Sequence, residues 1–270
     1  MGDSNHVQML FDANWPQPQL FEFAGGHAAV FSHRSPDKET PNEDSVALLS
    51  AGDTSGIIAV ADGCGGMALG EVASRSAILA LEETLIGAGV EGPALRPVVL
   101  DGLELANQRV CEVGGGAATT IAVVEIDGTM IRTYHAGDSS ILQISNRGRI
   151  KMQTVAHSPV GYAIEAGVLD ATEAIYHEDR HLVSNVLGMV DAHIEVGARR
   201  KMNKLDTLII GSDGLFDNLH VEEIVDLARK GSLLKCANQL ATLATQRMQE
   251  MSLERPCKPD DLSFVLFRCR

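Results

Sequence analysis

The chain has 270 residues, of which 45% are hydrophobic, and its formal net charge is -14 at pH 7. A chain of this length can bury a large core, and its acidic balance argues against a nucleic-acid-binding protein, because such proteins carry a basic face. The 5 cysteines show no paired spacing, which argues against a disulfide framework and favours reduced thiols in a cytoplasmic protein.

Neither a signal peptide nor a membrane span is expected from the sequence. The first residues lack a basic stretch followed by an apolar core, and apolar runs stay shorter than the roughly eighteen residues that a span needs. Residues 1–20, which contain Trp15-Pro16-Gln17-Pro18, show no periodicity and are predicted to be an irregular N-terminal arm. The folded domain is predicted to cover residues 21–270.

Short apolar runs and turn residues predict strands in the first half of the domain. The predicted strands cover residues 27–33, 45–50, 56–61, 119–126, 130–136 and 141–144. Between the third and fourth of these, apolar residues recur at helical spacing over 69–85 and 99–110, which predicts two helices that end before Gly114-Gly115-Gly116.

The second half begins with a segment of mixed composition. Residues 155–189 are too long for an ordinary connection and are predicted to form a flap over a site. Strands are then predicted at 193–198 and 206–210, two helices at 221–228 and 233–251, and a last strand at 264–267. Two groups of strands, each with a helix pair, predict an α+β fold: a four-layer α/β/β/α sandwich of two antiparallel sheets flanked by helix pairs.

Acidic residues follow or precede several of the predicted strands. Asp62 and Asp213 come directly after apolar runs, and Asp260-Asp261 precedes the last strand. Taken alone, an Asp-Gly pair is more often a plain turn. Together, acids without nearby basic partners indicate a site for divalent cations, which cancel the repulsion between crowded carboxylates and prefer oxygen ligands.

An ordered series of motifs between about Ser32 and Arg268 resembles the PPM-type (type 2C) metal-dependent serine/threonine protein phosphatases, and bacterial members in particular. The motifs are Asn42-Glu43-Asp44, Asp62-Gly63-Cys64-Gly65-Gly66, Gly70-Glu71-Val72-Ala73-Ser74, Ala118-Thr119-Thr120, Ala136-Gly137-Asp138-Ser139, Val186-Leu187-Gly188, Ser212-Asp213-Gly214-Leu215-Phe216-Asp217 and Asp260-Asp261-Leu262-Ser263.

The resemblance implies a site with two Mn²⁺ or Mg²⁺ ions. Asp62 would bridge them, the carbonyl of Gly63 would bind the first, and Asp213 and Asp260 would bind the second. Asp260 rather than Asp261 matches the ligand position of the family, counted back from Ser263.

Further acids are assigned by the same resemblance. Glu43 and Asp44 would orient metal-bound waters, so Asp44 joins Asp62, Asp213 and Asp260 in the predicted catalytic set. Asp138 and Asp217 would hold a third, weaker ion. A water or hydroxide bridging the two main ions would then attack phosphorus, and no protein nucleophile is needed.

The chain departs from the family pattern at three positions. Cys64 replaces the His that is proposed to protonate the leaving alcohol in many eukaryotic members. Glu39 stands where the family usually has the Arg that holds the substrate phosphate, so Arg34 or Lys38 is predicted to do so. Ser140 replaces an Arg that commonly follows Gly-Asp-Ser.

Two alternatives remain open at this point. A catalytically silent member of the family would bind phosphoproteins as a regulator; the active enzyme would act on a phosphoprotein such as a Ser/Thr kinase or its target. The histidines in or beside the flap, His157, His177, His181 and His193, would need at least three converging ligands to form a zinc site, and solvent-exposed histidines are expected instead.

Overall fold

The computed structural model describes residues 7–36, 38–64, 69–89, 95–174, 176–250, 252 and 255–270. The strands are β1 (Val7–Phe11), β2 (Gln19–Phe23), β3 (Gly26–His33), β4 (Asp44–Ser50), β5 (Ser55–Asp62), β6 (Ile121–Asp127), β7 (Met130–Ala136), β8 (Ser140–Ile144), β9 (Ile150–Gln153), β10 (Glu195–Val196), β11 (Arg200–Lys201), β12 (Thr207–Gly211) and β13 (Leu262–Cys269). The helices are α1 (Gly70–Ala88), α2 (Leu95–Val113), α3 (Pro159–Glu165), α4 (Ala171–Ala174), α5 (Asp213–Phe216), α6 (Val221–Ala228) and α7 (Leu233–Gln249).

The strands form two antiparallel sheets. The first has the order β1-β4-β5-β6-β7-β10, with β11 also paired to β7, and the second has the order β2-β3-β13-β12-β8-β9. One apolar core lies between the sheets, a second lies between the first sheet and α1 with α2, and a third lies between the second sheet and α6 with α7. The predicted α/β/β/α sandwich is confirmed.

Strand β5 is covered on both faces, which explains the uninterrupted apolar run in its sequence. Ile57 and Ala59 belong to the core under the helices, whereas Ile58 and Val60 belong to the core between the sheets. Successive side chains of a strand point to opposite faces, so a strand covered on both faces needs an apolar residue at every position.

The register of the strands brings the predicted acids to one end of the sandwich. Asp44 at the start of β4 lies opposite Asp62 at the end of β5. In the second sheet, the end of β12 at Gly211 lies opposite Ser140 at the start of β8 and near the start of β13. Asp138, Asp213 and Asp260 therefore all lie just beyond strand ends at the same end of the molecule.

The expectation of an irregular arm over residues 1–20 is wrong for part of that stretch. Val7–Phe11 pairs with β4 along its whole length, and Gln19–Phe23 pairs with β3. Met9 packs toward the helices and Leu10 toward the other sheet. Side chains of β1 alternate between the two faces of the sheet, but the strand has only 5 residues. A pattern this short cannot be distinguished from an unpaired segment in the sequence alone.

Residues 155–189, predicted to be a flap, contain α3, α4 and a 3₁₀ helix at Glu178–His181. The segment is closed at its base, because the amide and hydroxyl of Ser184 both donate to the carbonyl of His157, at 2.8 and 2.9 Å. Its movement over a site stays a prediction. Within the part of the chain that the structure describes, no helix is long and apolar enough to cross a bilayer.

Candidate active site

Glycines beside the acids allow the strand ends to approach one another. A β-carbon on Gly63 would lie 2.2 Å from the carbonyl oxygen of Gly70, and one on Gly214 would lie 1.9 Å from that of Asp261. Neither glycine has a positive φ, so these Asp-Gly pairs are sites of close backbone contact rather than turns that need a left-handed residue. Gly65 and Gly66 of the same motif lie outside the described residues.

Asp44 is the most deeply buried of the predicted catalytic acids, with 1% of its surface exposed. Its Oδ2 accepts a hydrogen bond of 2.9 Å from the hydroxyl of Ser212, whereas its buried Oδ1 has no hydrogen-bond partner among the described residues. Burying a carboxylate oxygen without a hydrogen-bond partner lowers the stability of the folded state. Asp44 therefore has an acceptor position free for a ligand, a water or a cation.

We call Asp44, Asp62, Asp138, Asp213, Asp217 and Asp260 the acid cluster. Burial and the neighbouring acids raise the pKa of Asp138 to about 8, that of Asp260 to about 7 and that of Asp217 to about 6. Burial raises the pKa of Asp62 well above its ordinary value, and Asp44, Asp213 and Asp260 add to the effect by repulsion. The cluster is thus short of positive charge.

Lys258 contacts three members of the acid cluster. Its ammonium forms ion pairs with Asp217 at 3.2 Å, with Asp260 at 3.1 Å and, more closely, with Asp213. Burial opposes the charge of Lys258, but the three carboxylates overcome this and raise its pKa. The expectation that the acids lack basic partners is therefore wrong. Lys258 stands two residues before Asp260 in the sequence, but that spacing does not show that its ammonium points at the acids.

Of the two basic residues predicted to hold the substrate phosphate, Lys38 contacts Glu43 and Asp261 rather than a member of the acid cluster. Lys38 donates to Glu43 and to Asp261, both at 2.6 Å, and Asp261 also accepts from the backbone amides of Ser35 and Glu43. Both oxygens of Asp261 are thus used to hold the loop before β4, whereas Asp260 belongs to the acid cluster. Arg34 lines the same surface depression as Lys38, next to Glu39.

Cys64 follows Gly63 at the edge of the acid cluster. Burial and the charge of Asp138 raise the pKa of its thiol to about 12, so it is a neutral thiol at physiological pH. A neutral, partly buried thiol is neither a nucleophile nor a ready proton donor, which argues against covalent catalysis at this residue.

A groove of about 390 Å³ opens beside the acid cluster. It is lined by Asp138, Asp213 and Asp217 on one side and by side chains of the predicted flap and of α5 and α6 on the other, among them Val160, Ile164, Phe216 and Leu219. The segment over residues 155–189 therefore borders the acids, as a flap would.

A second polar cluster, the histidine cluster, consists of His135, His157, His193 and Glu195. Ring nitrogens of His135 and His157 and a carboxylate oxygen of Glu195 lie within 4.8 Å of one another, a separation that a metal ion could bridge. The expectation of exposed histidines is wrong for His157, which is 2% exposed, whereas His177, His181 and His193 are exposed.

The hydrogen bonds of His157 argue against a metal ion there. Its Nδ1 accepts from the backbone amide of Gly137 at 3.3 Å and from the side-chain amide of Asn185 at 2.7 Å, so this nitrogen carries no proton. The proton of a neutral ring is therefore on Nε2, which points at Glu195 at 3.3 Å. A cation at Nε2 would require that proton to leave or to move to Nδ1, where two donors already point.

The acid cluster, by contrast, fits divalent cations. It offers converging carboxylates, an unpartnered buried oxygen on Asp44 and an ammonium group already held by three of its members. Hard oxygen ligands of this kind are the ones that Mg²⁺ and Mn²⁺ prefer. Which of these residues bind a metal ion stays a prediction.

Comparison with known proteins gives a consistent picture. A family model described as protein phosphatase 2C matches residues 32–255. The protein phosphatase PhpP of Streptococcus pneumoniae is 30% identical over 70% of this chain and 79% of its own length.

Two solved structures have the same fold as this chain. The crystal structure of the Mycobacterium tuberculosis serine/threonine phosphatase PstP/Ppp is 25% identical, with a TM-score of 0.73 over 90% of this chain and 98% of that one. The catalytic domain of PstP in complex with two manganese ions is also 25% identical, with a TM-score of 0.72 over 89% of this chain and 96% of that one.

Proposed function

Because the chain belongs to the protein phosphatase 2C family, we propose that it hydrolyses phosphoserine and phosphothreonine in a protein substrate with the help of divalent cations. The observation that carries the proposal is the convergence of Asp44, Asp62, Asp213 and Asp260, from four separate segments, at one end of the two sheets. Repulsion among these acids and the unpartnered oxygen of Asp44 favour a cation-dependent reaction.

Asp62, Asp213 and Asp260, with the carbonyl of Gly63, would hold two Mn²⁺ or Mg²⁺ ions. When bound there, the ions would lower the pKa of a water and neutralise charge on the phosphoryl oxygens. The register of β4 and β5 sets Asp44 directly opposite Asp62, and the Oδ1 of Asp44 is the acceptor that we assign to orient the attacking water. Glu43 would help to orient water from the adjacent position.

The substrate phosphate needs a basic side chain near the acids. Lys38 already donates to Glu43 and Asp261, whereas Arg34 forms no ion pair within the described part of the chain. We assign the phosphate contact to Arg34, because a guanidinium group binds phosphate in a bidentate manner and Lys38 is engaged in holding the loop. The groove beneath the flap would receive the residues that flank the phosphorylated one.

The alternative is a regulator that binds phosphoproteins without hydrolysing them. The contact of Lys258 with three acids is the one observation that favours it, since a fixed ammonium group could stand where a metal ion is needed. Against it, all the acids that the family uses to bind the two main ions are present at the matching positions.

Phosphatase assays separate the two functions. We expect hydrolysis of an aryl phosphate and of phosphoserine peptides in Mn²⁺, complete loss with a chelator, and a loss of at least about 10³-fold in kcat for Asp62→Asn or Asp213→Asn. Asp53→Asn, at an exposed turn, is the matched control and should keep full activity.

The other possible outcomes would contradict the cation-dependent reaction or favour the regulator. Activity that survives chelation, or that is retained in Asp62→Asn, would contradict a cation-dependent reaction at this site. Binding of Mn²⁺ and of phosphopeptide without any turnover would establish the regulator instead.

A further inference from the structure

A depression lined by basic side chains lies where edge strands of the two sheets come together. Strand β9 is the last strand of the second sheet, and β11 lies beside β7 at the edge of the first. The depression has a volume of about 360 Å³. Its lining residues come from β8, from β9 and the turn before it, and from β11: Gln143, Arg149, Lys151, Arg200 and Lys201.

This basic depression is separate from the acid cluster and from the groove beneath the predicted flap. Arg200 pairs with Ile131 near the start of β7, whereas Asp138 follows the end of that strand. In β9, Ile150 lines the groove and the next residue, Lys151, lines the basic depression. The two surfaces therefore lie on opposite sides of β9, and a ligand in the basic depression would not occupy the proposed substrate groove.

Lys151 is the lining base whose charge is already balanced by an acid. Its ammonium forms an ion pair of 2.6 Å with the Oδ2 of Asp206. That oxygen also accepts from the side-chain amide of Gln143 at 3.2 Å and from the backbone amide of Asn203 at 2.9 Å. Asp206 is only 3% exposed, so its charge is used within the wall of the depression and is not presented to the opening.

The other three lining bases, Arg149, Arg200 and Lys201, are exposed and form no ion pair with any residue that the structure describes. Arg199, by contrast, pairs with Asp127 at 2.5 Å. The chain has 36 acidic and 22 basic residues, so bases without acidic partners are not expected to gather by chance. The basic depression is therefore a local excess of positive charge on an acidic protein.

The lining favours a compact ligand that carries phosphate groups. The guanidinium groups of Arg149 and Arg200 can each bind phosphate oxygens in a bidentate manner, and Lys201 adds a third charge. The volume is at the small end of the range of roughly 300–1,000 Å³ for ligand pockets. None of the described lining residues is aromatic, so a nucleobase would lack a stacking partner. The net charge of -14 disfavours a long polyanion such as a nucleic acid.

We propose that the basic depression binds a small ligand with two or more phosphate groups, such as a linear oligophosphate, and that Arg149, Arg200 and Lys201 hold it. The ligand would connect the two sheets at their edges, because Arg200 belongs to the first sheet and Arg149 directly precedes β9 of the second. The site is independent of the proposed hydrolysis, since its binding needs neither divalent cations nor the acid cluster.

The test is a calorimetric titration of the full chain with sodium triphosphate, in the absence of divalent cations because triphosphate would chelate them. We expect one triphosphate per chain, with orthophosphate bound at least about tenfold more weakly. Arg149→Gln and Arg200→Gln should each weaken triphosphate binding by at least about tenfold, since each removes charge-assisted hydrogen bonds. Arg199→Gln is the matched control. It removes the same charge from the residue next to Arg200, but Arg199 is paired with Asp127, and we expect a change of less than about threefold.

Melting temperatures show whether the variants remain folded. Without ligand, the double variant Arg149→Gln/Arg200→Gln should melt at the temperature of the wild type, because both side chains are exposed. Triphosphate should raise the melting temperature of the wild type only.

Two results would overturn the inference by locating the ligand elsewhere or nowhere: triphosphate that does not saturate the wild type, and binding that is weakened by Arg34→Gln but not by Arg200→Gln. A third concerns the class of ligand. If an acidic peptide or a DNA duplex bound to the basic depression more tightly than triphosphate, the surface would serve a macromolecular partner instead.

Discussion

The acid cluster and the histidine cluster both gather side chains that can bind metal ions, and they differ in what those side chains already contact. In the histidine cluster, the Nδ1 of His157 accepts from Gly137 and Asn185, and the amide of Asn185 is oriented in turn by the backbone of His193. In the acid cluster, carboxylates repel one another and the Oδ1 of Asp44 has no partner among the described residues.

The difference shows that proximity of ligand atoms is a weak criterion for a metal site. The atoms of His135, His157 and Glu195 are close enough, but the directions of their hydrogen bonds leave no lone pair for an ion at His157. The acid cluster has a shortage of positive charge that an ion would relieve. The histidine cluster instead fastens the base of the predicted flap to the Gly137 turn, next to Asp138.

The pH dependence of stability should separate the two clusters most strongly. In the metal-free protein, the raised pKa values of Asp217, Asp260 and Asp138 mean that the folded state holds protons more tightly than the unfolded state. Their contribution is present at low pH and is lost as pH rises through about 6, 7 and 8. We expect the free energy of unfolding to fall by an amount on the order of 3 kcal/mol between pH 5 and 9, after a discount for the partial exposure of Asp260.

The histidine cluster predicts the opposite slope. Burial lowers the pKa of His157 and His135 below the ordinary value of 6.5, so their contribution is present above that pH and is lost as pH falls below it. In a chelator, the acid cluster should therefore lower the melting temperature as pH rises toward 9, the histidine cluster should lower it as pH falls below 6.5, and saturating Mn²⁺ should remove the alkaline decline only. An alkaline decline that persists in Mn²⁺ would contradict the assignment of the acid cluster as the cation site.

The acid cluster was largely predictable from sequence, because the acids adjoin apolar strands and antiparallel pairing brings such ends together. Asp44 and Asp62 are the clearest example, since they are opposite each other in the register. The contact of Lys258 was not predictable in the same way. It depends on Asn218, 40 residues earlier in the chain, which positions the backbone of Lys258 through two hydrogen bonds.

Substitution of His157 tests whether the histidine cluster is structural. His157→Leu would leave the amides of Gly137 and Asn185 without their acceptor, and we expect a loss of about 2 kcal/mol in the free energy of unfolding, measured by urea titration. His157→Asn places an oxygen near the position of Nδ1 and should recover part of the loss. The number of bound Mn²⁺ should stay the same in both variants.

His177→Leu is the control for this pair, because His177 is an exposed residue of the same segment and its loss should change stability by less than about 0.5 kcal/mol. A fall in bound Mn²⁺ in His157→Leu, with the fold retained, would mean that the histidine cluster binds metal after all.

The histidine cluster was hidden in the sequence for a physical reason. Its members come from β7, from the start of the predicted flap and from the segment that follows the flap and leads into β10, and the role of His157 depends on the direction of the hydrogen bonds at its two ring nitrogens. Spacing along the chain carries no information about hydrogen-bond direction. The strands and the two outer helix pairs were predictable because burial on each face imposes a period that the residues display directly, as in Ile57 and Ile58 of β5.

Cys64 provides the smallest predicted effect and the finest test of what surrounds the acid cluster. With its pKa raised to about 12 by burial and by Asp138, the thiol should react with iodoacetamide much more slowly at pH 7.5 than exposed Cys111 does. Cys64→Ala should lower stability by less than about 1 kcal/mol and leave kcat within about threefold, because a neutral thiol neither attacks phosphorus nor supplies a proton readily. Both are measured on one preparation by mass spectrometry and by the phosphatase assay. A loss of kcat as large as that of Asp62→Asn would mean that Cys64 takes part in the reaction. The acids near Cys64 would then act on a reacting thiol and would not serve only to bind cations.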